Sequence, residues 1–282
     1  MESSRSARPL PAVGRSARVG GPSVSVVIPV KDDAALLARC LRALAHQTRP
    51  ADEIVVVDNG SSDRSAAVAR RAGAVLVTCA PRGIPAAASR GYDAARGDLI
   101  LRLDADCVPD RTWIERMCAA FAAHPDMDAV TGGATFIDGP RILRRPLAAL
   151  YLGAYRQVCR TALGHRPLFG SNLGMRRDAW EAVSNDVHRA DSDLHDDLDL
   201  SFHLGARHRI AALEGAGMGM SMRPFASVSG LQRRVRRGVR TVVVHWPWHF
   251  PPLRWARLVA HRLVRRGRRL PLPAAAALRD AA

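Results

Sequence analysis

Leu99-Ile100-Leu101-Arg102-Leu103-Asp104-Ala105-Asp106-Cys107-Val108-Pro109 reads as a buried strand that delivers two carboxylates at its exposed end. Side chains two apart along a strand point the same way, so Asp104 and Asp106 are expected to project together beyond the sheet edge. Two hard oxygen donors on one side suit Mg²⁺ or Mn²⁺, which takes one or two protein carboxylates and fills its remaining positions with phosphate and water. An Asp at a strand end also serves as a cap for the next helix, and the spacing alone leaves both readings open.

The chain before this strand has a repeating form. Val24-Ser25-Val26-Val27-Ile28-Pro29-Val30 is a β-branched run that Pro29 is expected to end. Asp32 or Asp33 then caps a helix whose Leu36, Leu37, Cys40, Leu41 and Leu44 make one buried stripe. Glu53-Ile54-Val55-Val56-Val57-Asp58 is a second strand, running into Asn59-Gly60-Ser61-Ser62 and a helix that Gly73 closes. Residues 74–78 make a third strand, and the Ala-rich segment 83–97 a helix leading to the Asp104 strand. Beyond it, Pro109 and Asp110 are expected to start a helix that buries Trp113, Ile114, Met117, Cys118 and Phe121, and regularity falls off after Pro125. Strands alternating with helices of this length imply an α/β fold with a parallel sheet and right-handed crossovers. Ligands in such sheets gather at the carboxyl ends of the strands, where Pro29, Val30, Asp58, Asp104 and Asp106 converge.

The 282 residues, 48% of them hydrophobic, suffice for one large domain with an appendage. The net charge of +16 is concentrated: residues 222–282 hold 14 Arg and one Asp. The expected organisation is a disordered tail over 1–22, the α/β domain over 23–225 and a basic appendage over 226–282. Five scattered cysteines without a Cys-x-x-Cys pair fit a reduced, cytoplasmic setting. No signal peptide is apparent, and no stretch reaches the roughly 18 apolar residues of a membrane span.

Four blocks, in order, resemble the family-2 glycosyltransferases, nucleotide-sugar-dependent inverting enzymes of the GT-A fold. They are Val26-Val27-Ile28-Pro29; Val56-Val57-Asp58-Asn59-Gly60-Ser61-Ser62-Asp63; Gly97-Asp98 leading to Leu103-Asp104-Ala105-Asp106; and His195-Asp196-Asp197-Leu198-Asp199-Leu200. The likeness implies a mainly parallel central sheet flanked by helices. It further implies a nucleotide-sugar donor held at Pro29, Val30, Asp58 and Asp104, with Asp58 at the base. Asp104 and Asp106 would meet the Mn²⁺ or Mg²⁺ that bridges the phosphates. Asp197 would be the general base, with His195 as the alternative and Asp199 orienting backbone. Asp196 and Asn172 would lie beside the hydroxyl-bearing acceptor, a saccharide or a lipid-linked molecule. Asn in a turn also bonds its own backbone, which leaves two roles open for Asn172.

Departures from the family pattern are informative. Where the family carries Ala-Arg-Asn-x-Gly, this chain has Ala87-Ala88-Ser89-Arg90-Gly91; the nucleotide-contacting Arg is missing, with Arg82 and Arg90 as candidate replacements. The Gln-x-x-Arg-Trp motif of processive synthases is absent too, which favours single-sugar transfer. Trp180 reads as core. His245 and His249 either complete a metal shell or belong to an aromatic cluster with Trp246 and Trp248. A nucleotidyltransferase on a related fold would use the same carboxylates and metal.

Residues 253–270 place Leu253, Ala256, Val259, Ala260, Leu263 and Val264 at helical spacing among arginines. Such a helix lies on an anionic membrane surface, at the inner face of the plasma membrane in this reading, or docks on the preceding domain. Charge alone suggests nucleic acid, but no recognised motif accompanies it and none is expected to bind.

Overall fold

The computed structural model describes residues 21–213, 217–223 and 227–267, with side chains described through 260. The expected tail, apart from Gly21 and Pro22, and the expected boundary at 225/226 lie outside the described residues. In chain order the first half comprises β1 (Val24–Val30), α1 (Ala34–Ala45), β2 (Glu53–Asp58), α2 (Ser65–Arg71), β3 (Val75–Thr78), α3 (Ile84–Ala94), β4 (Leu99–Arg102), β5 (Val108–Pro109) and α4 (Trp113–Ala123). The second comprises β6 (Ala129–Gly132), β7 (Thr135–Phe136), α5 (Arg141–Leu163), β8 (Leu173–Arg176), α6 (Arg177–Glu181), α7 (Asp196–Arg207), β9 (Ile210–Leu213), β10 (Met218–Met220), α8 (Val228–Val244) and α9 (Pro251–Gly267).

The main sheet has seven strands in the order β3-β2-β1-β4-β8-β6-β9, and β5-β10-β7 form a small second sheet. In the main sheet pairing is parallel except at β8, which runs antiparallel to β4 and β6. Because side chains alternate across a strand, the apolar runs feed two cores. Val24, Val26, Ile28, Leu99 and Leu101 pack with α1, α2 and α4, whereas Val27, Val55, Val57 and Ile100 pack with α3, Trp180 and α7. Both faces are covered, which is why these strands are apolar throughout.

Several local expectations are corrected. β1 continues through Pro29 to Val30, because β4 pairs only as far as Val27↔Arg102 and Pro29 lies beyond that partner. Asp33 occupies the N-cap position of α1 without capping it, and the Ala34 N–H is satisfied by Asp63 Oδ2 at 2.8 Å. Pro109 belongs to β5, and α4 begins only at Trp113. Order does not fall off after Pro125 but continues through β6, β8 and the 23-residue α5.

The two C-terminal helices rest on the domain through polar and apolar contacts, Val242 and His245 packing against Phe202 and its neighbours. On α8, Thr241 Oγ1 accepts from the His195 backbone at 2.9 Å. On α9 the buried residues are Arg254 and Leu258, while Leu253, Trp255 and Val259 are exposed. Arg254 donates to the carbonyls of Leu163 at 2.8 Å and Phe202 at 2.9 Å, so a cation closes the C-terminal end of α5. Leu253, Trp255 and Val259 therefore point outward, while Leu263 and Val264 of the expected stripe lie outside the described side chains. Val228, Leu231, Val235, Val239 and Val243 form a second exposed stripe along α8.

Gly97 shows how tightly the β4 entrance is built. Its N–H donates to Ser25 Oγ at 2.7 Å, and a Cβ there would lie 2.6 Å from the Ser25 nitrogen and 2.9 Å from the Val24 carbonyl carbon. Backbone cannot yield as a side chain does, so Gly97→Ala should destabilise the chain by about 1–3 kcal/mol. Urea denaturation would read this as a lowered midpoint, and an unchanged midpoint would contradict the packing argument.

Candidate active site

β4 ends at Arg102, and Asp104-Ala105-Asp106 lie in a turn closed by the Cys107 N–H to the Asp104 carbonyl at 3.0 Å. The two carboxylates thus meet through turn geometry and not through strand alternation. Asp104 Oδ1 accepts from Arg102 Nη2 at 2.9 Å, and its Oδ2 accepts from Ser171 Oγ at 2.6 Å. Asp106 Oδ2 accepts from Arg223 Nη2 at 2.9 Å, and the same guanidinium is bidentate to Asp33 at 2.8 and 2.9 Å. Burial, followed by the neighbouring Asp104 charge, pushes the Asp106 carboxyl up.

These residues fit a divalent cation. Oxygens of Asp104 and Asp106 lie within 4.8 Å of one another, and Arg223 already brings positive charge to the pair. Cys107 shares the neighbourhood, but burial holds its thiol well above the usual range and therefore protonated, which leaves a hard ion only the carboxylates.

Beneath the rim lies Arg102, 2% exposed. Its Nη1 sits 2.8 Å from Asp196 Oδ2 while Nη2 holds Asp104. Burial pushes the Asp196 carboxyl up to about 6, Arg102 opposing and Asp197 and Asp104 adding to the rise. Asp196, expected beside the acceptor, is instead committed to this internal pair. Next to it in the first turn of α7, Asp197 Oδ2 accepts from the Gly170 N–H at 2.9 Å and Oδ1 from the Leu198 N–H at 2.8 Å. The segment Gly170-Ser171 consequently ties Asp197 to Asp104 across the site.

Asn172 does not face this opening. It is fully buried, taking a hydrogen bond from Trp113 Nε1 at 2.9 Å and donating to the Gly133 carbonyl at 2.7 Å. Its side chain joins α4 to the strand ends, and the expected acceptor contact is corrected accordingly; Ser171 is the residue of that loop that reaches Asp104. Val30 and Asp58 are paired in register at the ends of β1 and β2, with Pro29 opposite Val57. Asp58 Oδ1 accepts from the Ser61 N–H at 3.0 Å, and Asp32 Oδ1 accepts from the Ser62 N–H at 2.7 Å, so the two loops are cross-braced. Arg82 and Arg90 are exposed. Trp180 is buried edge-on to Tyr92. His245 Nε2 faces Asp199, and His249 lies against Arg254.

Sequence reasoning missed Arg102, Ser171 and Arg223. Arg102 did leave a signal, since a lone charge within Leu99-Ile100-Leu101-Arg102-Leu103 falls on a strand position that must be buried.

The model of "Glycosyl transferase family 2" matches residues 25–183, more than half of the chain. The chain belongs to glycosyltransferase family 2. Asp196 and Asp197 lie beyond the matched residues. Among curated relatives, Glycosyltransferase AglE of Haloferax volcanii is 34% identical over 123 residues, 41% of this chain and 40% of its own length. The undecaprenyl-phosphate 4-deoxy-4-formamido-L-arabinose transferase of Pseudomonas aeruginosa is 44% identical over 93 residues, 29% of this chain and 27% of its own. The chain thus spans well under two thirds of these relatives. Among solved structures, glucosyl-3-phosphoglycerate synthase of Mycobacterium tuberculosis, in complex with Mn²⁺, UDP and phosphoglyceric acid, superposes with a TM-score of 0.57 at 20% identity, covering 79% of this chain and 78% of that one. This likeness establishes the α/β GT-A architecture.

Asp196 gives the family member a pH signature. Its folded value of about 6 lies above the ordinary 3.8, so between the two the folded chain holds a proton that the unfolded chain has lost. The stability this group contributes is full below the lower value and is lost as pH rises through the higher one. Asp196→Asn should flatten that descent, as measured by urea midpoints from about pH 4 to 7; equal slopes in both proteins would refute the assignment.

Proposed function

We propose that the chain transfers one sugar from a nucleotide-sugar donor to an acceptor hydroxyl, with a divalent cation and with inversion at the anomeric carbon. The observation that carries this reading is the Gly170-Ser171 bridge, whose N–H and hydroxyl hold Asp197 of α7 and Asp104 of the carboxylate turn at one site. Donor and acceptor need a cation site and a base held together in this way, because the proton of the attacking hydroxyl must leave as the diphosphate departs.

On this reading Asp58 and the braced loops after β1 and β2 receive the nucleoside, and Asp104 and Asp106 hold the cation. When bound, the cation stabilises the charge that develops on the departing diphosphate. Asp197 takes the proton of the attacking hydroxyl, its orientation set by two backbone N–H groups. Arg223 stands at the metal end in place of the arginine missing at Ala88 and is placed to pair with the diphosphate. The Mn²⁺ and UDP named in the M. tuberculosis structure support the same class of donor.

The relative named as an undecaprenyl-phosphate 4-deoxy-4-formamido-L-arabinose transferase and the C-terminal helices support an anionic membrane surface as a further partner. Among the described residues no helix is long and apolar enough to cross a membrane. The outward stripes of α8 and α9 are instead flanked by arginines such as Arg233, Arg236, Arg240 and Arg257, the pattern of a surface-lying element.

Asp197→Asn should lower turnover by about 10²–10⁴-fold while leaving nucleotide affinity nearly intact. Asp106→Ala should instead abolish the Mn²⁺-assisted part of nucleotide binding in calorimetry. An unaltered turnover in the first variant, or unaltered Mn²⁺-dependent affinity in the second, would sink the corresponding role.

Full-length chain should sediment with phosphatidylglycerol vesicles, less so at high salt because the attraction is screened, and poorly with phosphatidylcholine. Leu253→Glu with Val259→Glu alters only exposed positions and should weaken that binding. Equal sedimentation of variant and unaltered chain would remove the outward stripe from the membrane reading.

A further inference from the structure

A second cluster of metal-ligating side chains lies apart from the Asp104–Asp106 turn. Asp199 and His203, one helical turn apart on α7, meet His188 from the preceding loop and His245 from the end of α8. One ligand atom from each of the four lies within 4.8 Å of the others. Around Asp199 Oδ1 stand His188 Nδ1 at 2.7 Å, His245 Nε2 at 3.3 Å and His203 Nε2 at 3.7 Å, and the last two nitrogens are 3.3 Å apart. A tetrahedral zinc ion with bonds of about 2.0–2.1 Å sets its ligands about 3.3 Å from one another. The observed separations scatter around that value.

The ring orientation suits a cation. His245 Nδ1 lies 2.7 Å from the Thr241 carbonyl, which can only accept, so Nδ1 carries the hydrogen and Nε2 is the atom turned to Asp199 Oδ1 and to His203 Nε2. The side chains of His245 and Asp199 are only 2% and 4% exposed, so these ligand atoms converge away from water. A ring N–H donated to a backbone carbonyl is also the outer contact that orients metal-binding histidines. Asp199 Oδ2 is fixed in the same way by the His188 N–H at 2.9 Å.

We propose that His188, Asp199, His203 and His245 bind a zinc ion in a closed, four-coordinate structural site. Three imidazoles and one carboxylate suit zinc, and the four protein ligands leave no position for substrate. His188, at 35% exposure, provides the route of entry. The ion would fasten the end of α8 and the 188 loop to α7, the helix whose first turn carries Asp196 and Asp197. The site stands whether or not the sugar-transfer reading does, since none of its ligands belongs to that chemistry.

The test uses the full chain without a polyhistidine tag. After incubation with Zn²⁺ and desalting, elemental analysis should find about one zinc per chain, retained in Asp106→Ala. Co²⁺ in place of zinc should give the intense visible bands of a tetrahedral ion, and chelation should lower the melting temperature until zinc is restored. His188→Ala, at the most exposed ligand, should weaken zinc binding by more than about tenfold, the lower end of what even an outer-shell loss does. The proposal is overturned if the unaltered chain retains no zinc, if cobalt gives no tetrahedral bands, if Asp106→Ala loses the metal, or if a His188→Ala, His203→Ala double variant retains as much as the unaltered chain.

Discussion

Arg102 donates from the end of β4 to Asp104 on one side and stands against Asp196 on the other, with almost none of its surface in water. A guanidinium in that position cannot shed its proton and is shut off from water, so the fold must give it a carboxylate partner. Removing both carboxylates would leave a buried charge uncompensated, a loss of about 3–5 kcal/mol in comparable cases. The pair therefore fixes where the first turn of α7 meets the carboxylate turn after β4. Asp197, one residue on from Asp196, inherits its place from this contact and needs no strong partner of its own.

The rest of the rim is braced by weaker bonds that reach across loops. Asp32 accepts from Ser62 and Asp63 from Ala34, so the β1–α1 and β2–α2 connections hold one another, and within the second Asp58 accepts from Ser61. Asn59 extends the brace to the next connection, donating to the Cys79 carbonyl at 3.1 Å and accepting from the Gly83 N–H at 2.8 Å. Polar residues that a sequence reading assigns to ligands or to helix caps are here spent on backbone groups of neighbouring loops. That use leaves the strand ends rigid, which is what a site assembled from several connections demands.

The parallel half of the sheet was legible because three of its strands are largely apolar runs leading to an acidic residue, Val24–Val30 to Asp32, Glu53–Val57 to Asp58 and Leu99–Leu103 to Asp104. The antiparallel half was not. β6 and β8 are four-residue strands that each contain glycine, and α5 interrupts its apolar pattern with Pro146 and arginines. Among site residues, the carboxylates could be found from type and order. Their partners could not: Arg223 is 117 positions from Asp106, and Ser171 is 67 from Asp104. Asn172 was left open between two roles for a related reason, since an amide in a turn offers the same atoms to a sugar as to backbone or a tryptophan ring, and only the fold decides which is near.

The acidic run Asp191–Asp199 shows how one stretch serves several ends once it is folded. Asp191 pairs with Arg240 on α8 at 2.9 Å, Asp196 with Arg102, Asp197 with the Gly170 N–H, and Asp199 with the histidines. As a free loop these carboxylates would repel one another. In the fold each meets a different positive or N–H group from a different element, and the first turn of α7 adds the favourable end of its dipole. The helix period separates the tasks: Asp196 and Asp199 are three apart and lie near one face, while Asp197 is turned away from it toward the Gly170 loop. A shift of register by one residue would exchange the carboxylate beside Arg102 for the one held by the Gly170 N–H. The buried guanidinium opposes that shift, because only Asp196 reaches it without dragging Asp197 out of the site.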